Sequence, residues 1–307
     1  MKLVSILVCF YTSFCFSQKD DFRSYFRNVD IADYFLYKKD TLRAKAIYDS
    51  LIQKYPDYAH GFMKLYYDMG EYETAMKYWC KLYKIWGGLE SDKDYIGFDH
   101  LTEQEQQELI EANRYFEKHN NIKLLNFLDS IMAVDQEART SITFFHIDTL
   151  QLDSVQKTDF NTLKKKELDN LRSTDLKTLN TLYSFFKLNG FPQMSEIGSM
   201  GFTMINIMLL HGLRHLNEND SIAIYIHNLL LDEIKKGNYF PPSYACQIDD
   251  YYFQKKESSI YGVLADYNRK IYTKLSMEEL NKNRKEIGLG PLEYYLEMNR
   301  YYLVNEF

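Results

Sequence analysis

The chain has 307 residues, of which 46% are hydrophobic, so it is long and apolar enough to build a folded core and is not a disordered protein. Its formal net charge of -6 at pH 7 provides no basic surface for nucleic acid, which excludes the common nucleic-acid-binding classes. It has only 5 prolines and no low-complexity linker, a composition that favours helices packed on helices. We therefore expect a mainly α protein.

The first 17 residues are typical of a secretory signal peptide. Lys2 is followed by an apolar run that is too short to span a bilayer. Small residues at Cys15 and Ser17 predict cleavage after Ser17, giving a periplasmic or extracellular protein. A lipid anchor on Cys15 is the alternative, but Phe14 stands where such a signal needs a small residue. No later stretch predicts a transmembrane segment.

Two cysteines, Cys80 and Cys246, remain after this cleavage. Export permits a disulfide bond between them, and two separate buried thiols are the alternative.

Residues 18–100 are predicted to form a helical repeat module, with two helical hairpins in series from Asp30 to Trp86. In the first hairpin, Ala44 allows close approach of the two helices, and Tyr48 and Leu51 fill the space beside it. A second set at similar offsets follows, with Ala75 and Trp79. The pattern resembles the tetratricopeptide repeat, and the resemblance implies stacked hairpins with a concave groove for a peptide or protein partner.

Residues 101–307 are predicted to form a second, helical domain. A capping box at Thr102 begins one helix, another runs from Ile122 to about Arg139, and residues 148–166 are expected to be an irregular loop. A long helix from about Asp169 then leads to Gly190. Residues 260–275 predict a small β-hairpin between further helices.

The helix predicted from about residue 195 to 213 is apolar almost all round, so we expect it to be buried on every side at the centre of the domain. Gly190 and Pro192 break the preceding helix, and Ser195 is a candidate cap. Asn206 and His211 are the polar exceptions, and a buried polar group needs a partner.

Several short motifs in the second half occur in a specific order. They are Asp135-Gln-x-x-Arg139, Gly190-Phe-Pro192, Ile197-Gly198, His211, Ile248-Asp249, Ile260-Tyr261-Gly262 and Arg284-x-x-x-Gly288-Leu289. Their order and spacing resemble a bacterial family described only as a domain of unknown function, so the resemblance implies a fold but no reaction. Asp250 departs from the family, which has arginine at that position, so a contact made by that arginine cannot form here.

His211 and Asp249 are the candidate catalytic residues. A carboxylate bound to one imidazole nitrogen fixes the tautomer and leaves the other nitrogen as a base. The alternative is a structural pair that clamps two helices. Asp135, Arg139 and Tyr261, from the motifs of the resembled family, are the candidate binding residues.

Metal and cofactor chemistry is less favoured by the sequence. His211 and His215 have the spacing of metal ligands on one helix face, but Asp249 is the sole candidate third ligand and Arg214 stands beside the pair. No phosphate loop, dinucleotide fingerprint or nucleophile elbow is present, so we expect no cofactor. The sequence thus favours an exported binding or scaffold protein, with a hydrolase-type enzyme as the alternative.

Overall fold

The computed structural model describes residues 21–143 and 154–304, with the side chains of 154 and 155 excluded. The predicted signal peptide and its cleavage site lie outside these residues. The described part is mostly helical with one small β element, which confirms the predicted fold class. No helix in it combines the length and apolar character needed to cross a bilayer.

The N-terminal half consists of helices packed against their sequence neighbours. Its helices are α1 (Arg23–Tyr37), α2 (Thr41–Lys54), α3 (Met63–Asp68), α4 (Tyr72–Trp86), α5 (Leu89–Ile96) and α6 (Glu103–His119), with a 3₁₀ turn at Phe98–His100. Helix α1 packs on α2, and α3 on α4. Ala44 and Ala75 are fully buried, as their small size in the sequence pattern suggests.

The C-terminal half continues the helical packing. Its elements are α7 (Ile122–Thr140), α8 (Ser154–Asn189), α9 (Met194–Leu213), α10 (Ser221–Lys235), α11 (Pro241–Gln254), β1 (Lys270–Tyr272), α12 (Met277–Ile287), α13 (Leu292–Asn299) and β2 (Tyr302–Val304). The expected loop over residues 148–166 is wrong from Ser154 onward, where α8 begins.

Helix α9 is the central element of the fold, because α4, α6, α7, α8 and α11 all pack on it. It is not buried on every side, since Met200 is 60% exposed. Its start also differs from the prediction: the backbone N–H of Gln193 donates to the Glu196 carboxylate at 2.9 Å, and Ser195 is not the cap.

The β element is not the predicted hairpin. Strand β1 pairs in parallel with β2, with Ile271 opposite Leu303. The segment before β1 cannot supply a partner strand because residues 259–263 turn around the side chain of Asp249, and Gly262 has a φ of 67°.

One hydrophobic core runs through both halves, across the predicted boundary at residue 100. Helix α4 packs on both α6 and α9, and α1 packs on α12 and α13. The first described helix therefore lies against the last.

Candidate functional site

A groove with a cavity volume of about 490 Å³ lies along the inner face of the N-terminal helices. Its lining comes from helices α1 to α5, from the segment between α2 and α3, and from the start of α11. The aromatic side chains in it are Tyr25, Phe26, Tyr48, Tyr58, Phe62, Trp86, Tyr95 and Phe240, and the carboxylates are Asp30, Asp33 and Asp68. Its size is typical of a small-molecule or side-chain binding site.

The aromatic walls are held by ring contacts. The rings of Tyr48 and Phe62 stack with centroids 3.9 Å apart, and Phe240 contacts both Phe26 and Trp86 at 5.9 and 4.9 Å. Tyr95, by contrast, is 63% exposed and lies at the rim. Such faces attract both apolar groups and cations.

Two acids of the groove, Asp30 and Asp33, lie one turn apart on α1. Asp30 accepts a hydrogen bond from the Gly290 backbone N–H at 2.8 Å, and Asp33 accepts one from the Tyr48 hydroxyl. Burial raises the pKa of Asp30 to about 6, although the Gly290 hydrogen bond and Arg284 oppose the shift. Asp33 reaches solvent, yet enclosure by the surrounding protein raises its pKa also.

A second polar site joins α7, α8 and α9. The Asp135 carboxylate contacts His211 Nδ1 at 3.0 Å and the Arg139 guanidinium at 3.0 Å. The other end of Arg139 donates to Asp175 at 2.7 Å, and Asp175 contacts His215 Nε2 at 2.9 Å. These five residues form a chain of alternating acidic and basic groups, which we call the clamp cluster.

The carboxylates of the clamp cluster are buried, whereas its histidines and its arginine reach the surface. Asp135 and Asp175 are at most 1% exposed, while His211, His215 and Arg139 are half-buried. Burial pushes the pKa of Asp175 upward, but hydrogen bonds from His215 and Arg139 outweigh it and hold the pKa below the ordinary value. The cluster therefore fastens three helices through charged hydrogen bonds.

Metal-ligating atoms also meet in this cluster. Oxygen or nitrogen atoms of Asp135, Asp175 and His211 lie within 4.8 Å of one another. Arg139 binds both carboxylates, so its guanidinium already provides positive charge at the position where a cation would bind.

The predicted pairing of His211 with Asp249 is wrong. Asp249 is 1% exposed and accepts from Ser259 Oγ and from the backbone N–H groups of Ile260, Tyr261 and Val263, all at 2.7–3.0 Å. This carboxylate organises a loop and is not a partner of the imidazole. The proposed third metal ligand is excluded for the same reason.

Tyr261 belongs to the loop that Asp249 organises and is separate from Asp135 and Arg139. Its backbone carbonyl accepts from the buried Arg284 guanidinium at 2.8 Å. The short motifs thus divide between two places: Asp135, Arg139 and His211 meet in the clamp cluster, while Asp249, Tyr261 and Arg284 meet at the loop.

Asp250, which stands where the resembled family has arginine, has an ion-pair partner of its own. Asp250 forms an ion pair at 3.2 Å with Arg214, the residue that follows the last residue of α9. The reversed charge is therefore balanced by this arginine.

The two described cysteines, Cys80 and Cys246, are free, so they do not form the disulfide bond that export permits.

Sequence reasoning missed Asp175 and the acids of the groove. Nothing in the motif order singles out Asp175, which reaches the clamp cluster from α8. Asp30 and Asp33 could have been found, because they share one face of α1 with Phe26, four residues before Asp30.

Comparison of the chain with protein-family models, with curated proteins and with solved structures finds no match. The two resemblances described from the sequence therefore stay predictions.

Proposed function

We propose that this chain is an exported binding protein whose groove holds a peptide segment carrying a basic side chain between aromatic residues. The observation that carries the proposal is the combination of aromatic walls with Asp30, Asp33 and Asp68 in one cavity of about 490 Å³. A lysine or arginine stem packs on aromatic faces while its charged end pairs with a carboxylate.

The groove carries more acid than base, which favours a cationic ligand over an anionic one. Among the described residues that line it, Lys64 is the one basic side chain, and it pairs with Asp68 along α3. Asp30 and Asp33 remain for a ligand. A carboxylate with a raised pKa inside a cavity is a frequent mark of a binding site, and an incoming cation would stabilise its ionised form.

The test uses a fluorescein-labelled peptide, Gly-Phe-Lys-Phe-Gly, and its analogue with glutamate in place of lysine. We expect the lysine peptide to bind with a fluorescence-polarisation signal and the glutamate peptide to bind at least about tenfold more weakly. The double variant Asp30→Asn/Asp33→Asn should lose about the same factor for the lysine peptide, because two charge pairs are removed.

The matched control is Asp129→Asn/Asp169→Asn, which removes the same charge from exposed positions outside the groove lining. It should bind as the wild type does. Equal binding of both peptides, or equal loss in both double variants, would contradict the proposal, since general charge attraction would then explain the signal.

A hydrolase-type enzyme is the second candidate, and one observation favours it. Asp135 holds Nδ1 of His211, while Nε2 has no hydrogen-bond partner among the described residues and is not buried from solvent. An imidazole held in this way can act as a general base. Chromogenic ester, amide and glycoside substrates test this, and activity that His211→Gln abolishes without lowering the melting temperature would support it.

A further inference from the structure

A basic pocket lies beside α1 and shares no lining residue with the groove. Its volume is about 600 Å³, and its lining is Asp21, Arg23, Ser24, Arg27, Lys54, Lys282, Lys285 and Glu286. Five basic side chains face two carboxylates there, in a chain whose formal net charge is -6. The local charge is thus opposite in sign to that of the whole chain.

Helix geometry brings these cations together. Arg23 and Arg27 are four residues apart on α1, and Lys282 and Lys285 are three apart on α12, so each pair shares one helix face. Helix α12 packs on α1, which places the two pairs beside the same cavity.

The two carboxylates leave most of this charge unbalanced. Asp21 pairs with Arg23, whose Nη1 also donates to the Glu286 carbonyl at 2.9 Å. Arg27, Lys282 and Lys285 have no ion pair within the part of the chain that the structure describes. Lys285 lies in the last turn of α12, where a cation complements the helix dipole, but that does not explain Arg27 or Lys282.

Arg27 supplies an independent observation. Its Nε atom is buried and lacks a hydrogen-bond acceptor, which is unfavourable for a charged donor. The two terminal nitrogens of Arg27 are not buried and have no hydrogen-bond acceptor among the described residues. A tetrahedral oxyanion at the pocket could accept from both of them together, a paired geometry that guanidinium groups form with phosphate.

We propose that this pocket binds a phosphate-bearing anion, held by Arg27 on one side and by Lys282 and Lys285 on the other. The phosphate could belong to a soluble molecule or to a lipid headgroup, and both present the same oxygens to these three cations. The site is independent of the peptide groove.

The experiment measures both sources with the purified protein. Sodium tripolyphosphate is titrated by calorimetry, and vesicles of phosphatidylcholine with and without phosphatidylglycerol are tested by co-sedimentation. We expect Lys282→Gln/Lys285→Gln to weaken binding at least about tenfold, because two charge-assisted contacts are lost. Lys118→Gln/Lys123→Gln changes the same charge at exposed positions outside the pocket and should bind within about twofold of the wild type.

The titration and the co-sedimentation together identify the source of the phosphate or contradict the proposal. Pocket-dependent binding of tripolyphosphate supports a soluble ligand, and pocket-dependent binding to phosphatidylglycerol vesicles supports a headgroup. Absence of binding in both arms, or an equal effect of the two double variants, would overturn it. Arg27→Gln with an unchanged melting temperature provides a second reading, since it should lose affinity as the lysine pair does.

Discussion

At the scale of single residues, the buried carboxylates have different structural roles because they have different hydrogen-bond partners. Asp135 and Asp175 each bind one histidine and share Arg139, so they join helices. Asp249 binds three backbone N–H groups and one hydroxyl, so it fixes a loop conformation. An aspartate in a sequence motif therefore does not reveal whether it will meet a histidine or its own nearby backbone.

Replacing Asp249 with alanine should destabilise the protein by about 3 to 5 kcal/mol, because several buried donors would lose their acceptor. Urea denaturation gives the free energy of unfolding that checks this. Asp266→Ala is the matched control: Asp266 also accepts from two backbone N–H groups, of Asn268 and Lys270, but it is partly exposed. Water can replace that acceptor, so a clearly smaller loss is expected, and equal losses would contradict the assignment.

At the scale of elements, the kink in α9 lets three helices meet. Gly198 has φ 60° and ψ -169°, a conformation essentially restricted to glycine. A Cβ there would lie 2.5 Å from the Trp86 carbonyl of α4 and 2.5 Å from the Phe116 ring of α6. The glycine thus allows the central helix to pass directly against the backbone of the N-terminal half.

Gly198→Ala should therefore cost about 3 kcal/mol or more in unfolding free energy, since backbone strain and a backbone clash act together. Gly190→Ala separates the two causes. Gly190 also has a positive φ, of 77°, but a Cβ there meets no atom within 4 Å, so about 1 kcal/mol is expected. If both variants lost similar amounts of unfolding free energy in thermal and urea denaturation, the close approach of α4 and α9 would not contribute to the effect of Gly198→Ala.

Elements with local signals could be predicted from the sequence, and those defined by distant partners could not. The central helix and the capping box at Thr102 follow from neighbouring residues alone. Strand β1 pairs with a strand about thirty residues further on, so the residues near position 270 do not indicate its partner or its register. His211 was a sound candidate, but its acid comes from α7, and no spacing rule distinguishes Asp135 from Asp249 before the helices are packed.

At the scale of the whole molecule, the first helix closes against the last ones. Asp30 of α1 accepts from the Gly290 N–H, and Tyr34 stacks on Tyr294 of α13 with centroids 3.8 Å apart. The buried Arg284 of α12 lies in the field of Asp30 and donates to the Gly290 carbonyl at 2.7 Å. The groove acid is thus part of the junction that holds the two ends of the fold together.

Because Asp30 lies at this junction, its ionisation makes the stability of the whole molecule depend on pH, and Asp30→Asn should remove this contribution. The folded pKa of Asp30, about 6, lies above its ordinary 3.8, so the folded state binds more protons between these values. Its contribution is complete below about pH 4 and is lost as the pH rises through about 6, a loss on the order of 2 to 3 kcal/mol. Asparagine keeps an acceptor for Gly290 but does not titrate. The difference in unfolding free energy between Asp30→Asn and the wild type, measured by urea denaturation, should therefore shift in favour of the variant by about that amount as the pH rises from 4 to 7.5. The exposed variant Asp129→Asn should follow the wild type throughout, and parallel profiles for Asp30→Asn and wild type would show that this carboxyl ionises as it does in an unfolded chain.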